Sequence, residues 1–105
     1  MVQYIGMKTD FNTLDGFEWD EGNLEHIKKH NVEAPECEEM FFNLPLLINE
    51  DPEHSSKTEM RFEVLGQTNE RRKLFLVFTI RNKKIRIIST RDQNQKERRE
   101  YEKQT

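Results

Sequence analysis

The chain has 105 residues, of which 33% are hydrophobic and 35% charged. That length supports one modest core and excludes two. The polar balance sits near the disorder boundary, but seven Phe, two Tyr and one Trp argue for a folded domain. No apolar run approaches the roughly 20 residues that span a bilayer. The single cysteine, Cys37, excludes an internal disulfide and a cysteine-rich zinc site. The start of the chain has no basic end leading into an apolar stretch, so no secretory signal is expected and the expected location is the cytoplasm. The net charge of -3 conceals an asymmetry. Residues 1–59 carry 4 Lys/Arg against 14 Asp/Glu, a net of -10, and residues 60–105 carry 13 against 6, a net of +7. Either the second half builds a basic face for polyphosphate, or the two halves pair with each other on folding.

In chain order, residues 1–16 read as a loose arm with at most one short strand, followed by a single domain over 17–105. Phe17-Glu18-Trp19 alternates as a short strand does. Asp20 is placed to cap a helix running to His30, with Leu24 and Ile27 on one face. Asn31 suits the left-handed stop. Pro35 fits the first turn of a second helix ending near Phe42, whose apolar stripe is Ala34, Cys37, Met40 and Phe41. Leu46-Leu47-Ile48 reads as a strand, and 49–58 as a loop. Three strands are predicted next, over Met60–Gly66, Lys73–Ile80 and Lys84–Thr90, with connections short enough for an antiparallel meander. Leu74–Ile80 is apolar at nearly every position, which predicts a central strand buried on both faces. Asp92 or Asn94 caps a last, polar helix from Gln95 to about Lys103. The fold class is therefore α+β, with helices segregated against an antiparallel sheet.

Few residues invite chemistry other than the cations. His26 and His30, four apart, have the spacing for one metal, but no third ligand is evident and the reading as helix-end histidines is preferred. Cys37 belongs to the core, and Trp19 reads as an anchor between helix and sheet. The acidic loop at 50–53 lacks a calcium-site pattern. Arg61 and Arg86 alternate with apolar neighbours and so share the sheet face opposite Phe62, Ile85 and Ile87. Arg91 ends the last strand, and Lys96, Arg98 and Arg99 lie on the final helix. Guanidinium groups stay charged and bind phosphate through two parallel hydrogen bonds. A row of them on one face can stabilise the extra charge of a phosphodiester transition state. RNA supplies its own nucleophile in the 2′-hydroxyl, so the remaining need is for proton carriers, with no metal and no cofactor. His54, Glu59, Glu97 and Tyr101 are the candidates. Arg86, held within a strand, ranks first among the arginines, then Arg61, then Arg91, which stands where it can instead orient the last helix.

Phe17-Glu18-Trp19-Asp20-Glu21-Gly22-Asn23, Lys29-His30-Asn31-Val32 and Glu38-Glu39 with Phe41 resemble the opening of the BrnT family of toxins. The segment His54, Glu59 and Arg61, then Arg86-Ile87-Ile88-Ser89-Thr90-Arg91, then Lys96-Glu97-Arg98-Arg99-Glu100-Tyr101, is similar to its later motifs. Asn31 stands where the family usually has Gly, and Thr90 where it usually has Ala. The resemblance implies a RelE-like fold and a ribonuclease toxin of a type II toxin–antitoxin pair. Its partner would be a BrnA-like ribbon-helix-helix antitoxin, two toxins meeting one antitoxin dimer, with operator DNA reached only through that partner. On this reading His54, Glu59, Arg61, Arg86, Arg91, Glu97 and Tyr101 are catalytic, and Arg81, Lys83, Lys84, Lys96, Arg98 and Arg99 bind RNA. Two alternatives stand beside it: a nonenzymatic subunit that binds the antitoxin, and a small RNA-binding module.

Overall fold

A computed structural model describes residues 4–5 and 14–104. Its elements in order are β1 (Tyr4–Ile5), α1 (Glu21–Lys28), α2 (Ala34–Met40), β2 (Leu46–Asp51), β3 (Arg61–Gln67), β4 (Lys73–Arg81), β5 (Lys84–Asp92) and α3 (Gln95–Glu102). The sheet runs β1-β2-β3-β4-β5, with β2 to β5 antiparallel and β1 parallel to β2. This is the α+β layout expected. The two-residue β1 is the short strand of the arm; the rest of residues 1–13 lies outside the described residues.

Helices α1 and α3 start at reciprocal caps. Asp20 Oδ1 accepts from the Asn23 amide at 3.2 Å, and Asn23 Oδ1 accepts from the Asp20 amide at 2.8 Å. Asn94 and Glu97 do the same for α3, at 2.8 and 2.9 Å, which makes Asn94 rather than Asp92 its cap. At the start of α2 the Glu33 amide donates to Glu36 Oε1 at 3.0 Å, with Pro35 in the first turn. After α1 the chain turns at Asn31, whose φ of 56° is the left-handed stop anticipated from its side chain. Asn82 and Lys83 both have positive φ, 53° and 61°. That is the backbone a two-residue hairpin requires, and it joins β4 to β5 with Arg81 opposite Lys84.

Alternation assigns the two sheet faces. Ile48, Phe62, Val64, Leu74, Leu76, Phe78 and Ile87 are buried beneath α1 and α2, against Ile27, Val32, Cys37, Met40 and Phe41. Four phenylalanines link the layers, with ring centroids 5.4 Å apart for Phe17–Phe41 and Phe41–Phe78, and 5.0 Å for Phe62–Phe78. The other face carries Arg61, Glu63 and Leu65 on β3, then Phe75, Val77 and Thr79 on β4, then Arg86 and Arg91 on β5. Ion pairs from Lys73 to Glu102 and from Arg91 to Glu97 lay α3 across one end of that face. Among the described residues no other helix is laid across it.

Three expectations need correction. Phe75 and Val77 are only half-buried, so β4 is central but fully covered on one face only. Its apolar run resembles a doubly covered strand because α3, with Tyr101 as its one buried residue, shields only an end of the second face. Phe17–Trp19 is not a strand: it forms a single bridge from Phe17 to Ile85. The segment then leaves the sheet because Trp19 Nε1 donates to Glu38 on α2 at 2.7 Å, and Asp20 is committed to capping α1. β2 extends through Asp51 instead of ending at Ile48, since Asn49, Glu50 and Asp51 pair with Glu63, Phe62 and Arg61.

Candidate active site

Arg61 and Arg86 are each registered with Thr79, one from either side. Two strand spacings of about 4.8 Å put their backbones roughly 10 Å apart, with side chains on the same face. Arg81, two residues beyond Thr79, joins them. Asp20 and Glu18 approach from the segment that runs along the free edge of β5. That edge is closed by the Glu18 amide donating to the Ile85 carbonyl at 2.9 Å and by Asn23 Nδ2 donating to the Ile87 carbonyl at 3.2 Å. These contacts hold α1 beside β5, so that a cleft of about 270 Å³ forms between helix and sheet, lined by His26, Glu59, Arg61, Arg81, Arg86 and Ile88 among others.

The arginines differ in how far they are already engaged. Arg86 Nη1 and Nη2 donate to Asp20 Oδ2 and Oδ1 at 2.8 and 3.2 Å, and Nη1 reaches Glu18 Oε1 at 3.1 Å. The bond to Asp20, chief among its partners, holds the guanidinium above its ordinary pKa, and the same bond holds Asp20 below the usual carboxylate value. Arg91 makes a two-bond fork with Glu97 at 2.8 and 3.0 Å and lies 4.2 Å over the Phe75 ring. Arg81 Nη2 donates to Glu59 Oε2 at 3.0 Å. Arg61 is the least engaged: its Nε is 3.8 Å from Glu59 Oε1. The acidic and basic halves of the sequence therefore do pair across the site, without consuming every donor.

The proton carriers named from sequence scatter. Glu59 lines the cleft. His54 sits in the β2–β3 loop, where its Nδ1 is 2.8 Å from Asp51 Oδ2, and Asp51 is registered opposite Arg61. Glu97 is occupied by Arg91, and that hydrogen bond holds its pKa below the ordinary value. Tyr101 is fully buried and its hydroxyl donates to the Pro45 carbonyl at 2.6 Å, while loss of solvent pushes its pKa up to about 12. In this structure Tyr101 anchors α3 instead of facing a substrate. Lys83 and Lys84, at the β4–β5 turn, and Lys96, Arg98 and Arg99, on α3, are exposed and stand apart from the cleft. Cys37 is buried with its thiol raised to about 12, first by desolvation, as suits a core residue.

Two groups escaped the sequence reading. In the sequence His26 stands out only through its helical spacing to His30, yet it lines the arginine cleft. Its i, i+3 relation to Asn23, the residue tied to β5, was the available signal. Glu63, exposed on the same face, sits above its ordinary pKa through desolvation first and then repulsion from Asp51 and Glu97. The histidine–carboxylate group whose ligand atoms lie within 4.8 Å of one another, among the described residues, is Asp51, Glu53 and His54.

Two expected outcomes follow from these contacts. Tyr101→Phe removes one hydroxyl bond while keeping the ring, so it should cost about 1 kcal/mol in denaturant unfolding and leave RNA cleavage unchanged. A loss of cleavage with the stability kept would return Tyr101 to the reacting groups. Glu97 has a folded pKa below its unfolded value, so its share of stability is fully present above the ordinary glutamate value of 4.5 and is lost as pH falls below that value through the lower folded one. Urea midpoints measured on acidification should therefore fall less for Glu97→Gln than for the parent; equal falls would contradict the assignment.

One sheet face thus gathers Arg61, Arg81 and Arg86 with the Glu59 carboxylate and the His26 imidazole around a single cleft, a set of groups that suits an anionic ligand. A family model described as the ribonuclease toxin, BrnT, of type II toxin–antitoxin systems matches residues 19–97. That is most of the chain and includes every residue lining the cleft, and the chain belongs to this family. No curated protein matches it. As a family member it is a toxin with an antitoxin partner. No helix among the described residues is long and apolar enough to cross a membrane.

Proposed function

We propose that this chain is an endoribonuclease that cleaves RNA by attack of the 2′-hydroxyl on the neighbouring phosphate, without a metal ion, and so arrests growth. The observation that carries this reading is the convergence of Arg61, Arg81, Arg86 and Glu59 on one cleft inside the family-matched region. Arginines neutralise the phosphate and the charge that grows on it, and Glu59 is placed to take a proton. The exposed cations Lys83, Lys84, Lys96, Arg98 and Arg99 extend the positive surface along which a nucleic-acid backbone can lie.

The partner in this reading is a BrnA-like ribbon-helix-helix antitoxin. It docks near α3 and the cationic face, and its dimer carries two toxins by symmetry. Operator DNA is contacted through the antitoxin. The toxin works in the cytoplasm. One observation favours a second reading, a nonenzymatic subunit that only binds the antitoxin: Arg81, Arg86 and Arg91 each already hold a carboxylate. Expression of the chain alone tests between them. Growth arrest, relieved by co-expression of a ribbon-helix-helix protein from the adjacent reading frame, is the expected result. Normal growth with a stable complex would support the second reading and reject the first.

A further inference from the structure

We propose that His26 is the general acid of the cleavage reaction, delivering the proton to the departing 5′-oxygen. This rests on the ribonuclease reading above and names a residue to which that reading gives no role. The geometry sorts the possible donors. Tyr101 is buried with its hydroxyl satisfied, Glu97 is clamped by Arg91, and His54 Nδ1 is committed to Asp51 in the β2–β3 loop. None of the three lines the arginine cleft. Among the described residues that do, the side chains that can carry a proton to or from a substrate, guanidinium groups aside, are Glu59 and His26. The imidazole of His26 is exposed and makes no hydrogen bond or ion pair to any described residue. Among the described residues it is therefore unpartnered, whereas the neighbouring Arg81, Arg86 and Glu59 are held in ion pairs.

The two groups also come from different walls. Glu59 lies two residues before the start of β3, and His26 lies on α1, which is fastened to the outer edge of β5 through Asn23. The row Arg61–Thr79–Arg86 crosses the floor between those strands. In-line displacement at phosphorus needs this separation, because the attacking and leaving oxygens stand on opposite sides. With the phosphate held over the row, Glu59 takes the proton of the 2′-hydroxyl as the 2′-oxygen forms its bond to phosphorus. The bond from phosphorus to the 5′-oxygen breaks, and its electron pair takes the proton from the His26 imidazolium. The products are a 2′,3′-cyclic phosphate and a free 5′-hydroxyl. The proton gained by Glu59 passes to water and His26 regains one, so the balance needs no further reactant.

The test uses the full chain and two short RNA substrates. One has an ordinary linkage; the other has sulfur in place of the bridging 5′-oxygen, a leaving group that departs without a proton. His26→Ala should cleave the ordinary linkage about a hundredfold or more slowly and cleave the sulfur linkage within a few-fold of the parent. His26→Gln, similar in size but unable to donate, should behave the same way. Alanine on an exposed helix position favours folding, and the thermal midpoint of each variant verifies it. An equal loss on both substrates, or no loss on either, would overturn the role of His26 while leaving the ribonuclease reading in place. A parent chain that cleaves neither substrate would overturn the ribonuclease reading, and this inference with it.

Discussion

Arg61→Lys should slow RNA cleavage about a hundredfold or more while leaving folding and the antitoxin complex intact. The three arginines that share a sheet face are not equivalent. Arg86 is bound by both oxygens of Asp20 and by Glu18, and Arg91 by both oxygens of Glu97. Among the described residues Arg61 has only the 3.8 Å approach to Glu59. Its guanidinium therefore keeps its donors for an incoming phosphate, and lysine, a point charge without the planar fork, cannot replace two parallel bonds. The same weak engagement means that the exchange should move stability by no more than about 0.5 kcal/mol. Arg86→Lys should behave differently. It breaks the fork to the residue that caps α1, so stability should fall along with activity, and Arg61 is the cleaner test of a purely catalytic role. Single-turnover cleavage rates beside thermal midpoints distinguish the two variants. Full activity in Arg61→Lys would remove the support for a phosphate clamp.

Arg72→Ala should destabilise the domain by about 2–3 kcal/mol, roughly 10 °C or more in thermal midpoint, with no direct effect on the chemistry. Arg72 Nε and Nη2 donate to Asp92 at 2.8 and 3.2 Å, and Nη1 donates to Glu36 at 3.2 Å. The same guanidinium donates to the carbonyls of Asn31 and His30 at 2.9 and 3.3 Å. One side chain thus ties the β3–β4 turn to the end of β5, the start of α2 and the turn after α1. Removing it strands two carboxylates and two carbonyls at once. Arg72→Lys should recover only part of the loss, since an ammonium cannot span partners arranged around a plane. A midpoint shift under about 2 °C in Arg72→Ala would show that these contacts are replaced by water without cost.

The elements that could be read in the sequence are those set by local rules. Alternation marked β3 and β5, Asp20 and Asn31 marked the two ends of α1, and Pro35 marked the opening of α2. Sheet alternation also placed Arg61 and Arg86 on one face before any coordinates. What stayed hidden depends on contacts distant in sequence. Arg72 is 36 residues from Glu36 and 41 from Asn31, so no window of sequence displays it as a clamp. Arg86 looked like a free surface charge because Asp20, its partner, lies 66 residues away. Tyr101 looked accessible on a polar helix, and only the docking of α3 over one end of the sheet shows it buried. His26 was visible as an imidazole at helical spacing, but its place beside the arginines follows from how Asn23 fastens α1 to the edge of β5.

The most direct measurement of the central claim is the chemistry of the cut ends. Purified full-length chain, incubated with RNA in excess EDTA, should cleave and leave 2′,3′-cyclic phosphate and 5′-hydroxyl termini. Cleavage that stops in EDTA and returns with a divalent ion, or termini carrying a 5′-phosphate, would contradict 2′-hydroxyl attack at the Arg61–Arg86 cleft and direct attention to the Asp51, Glu53 and His54 group.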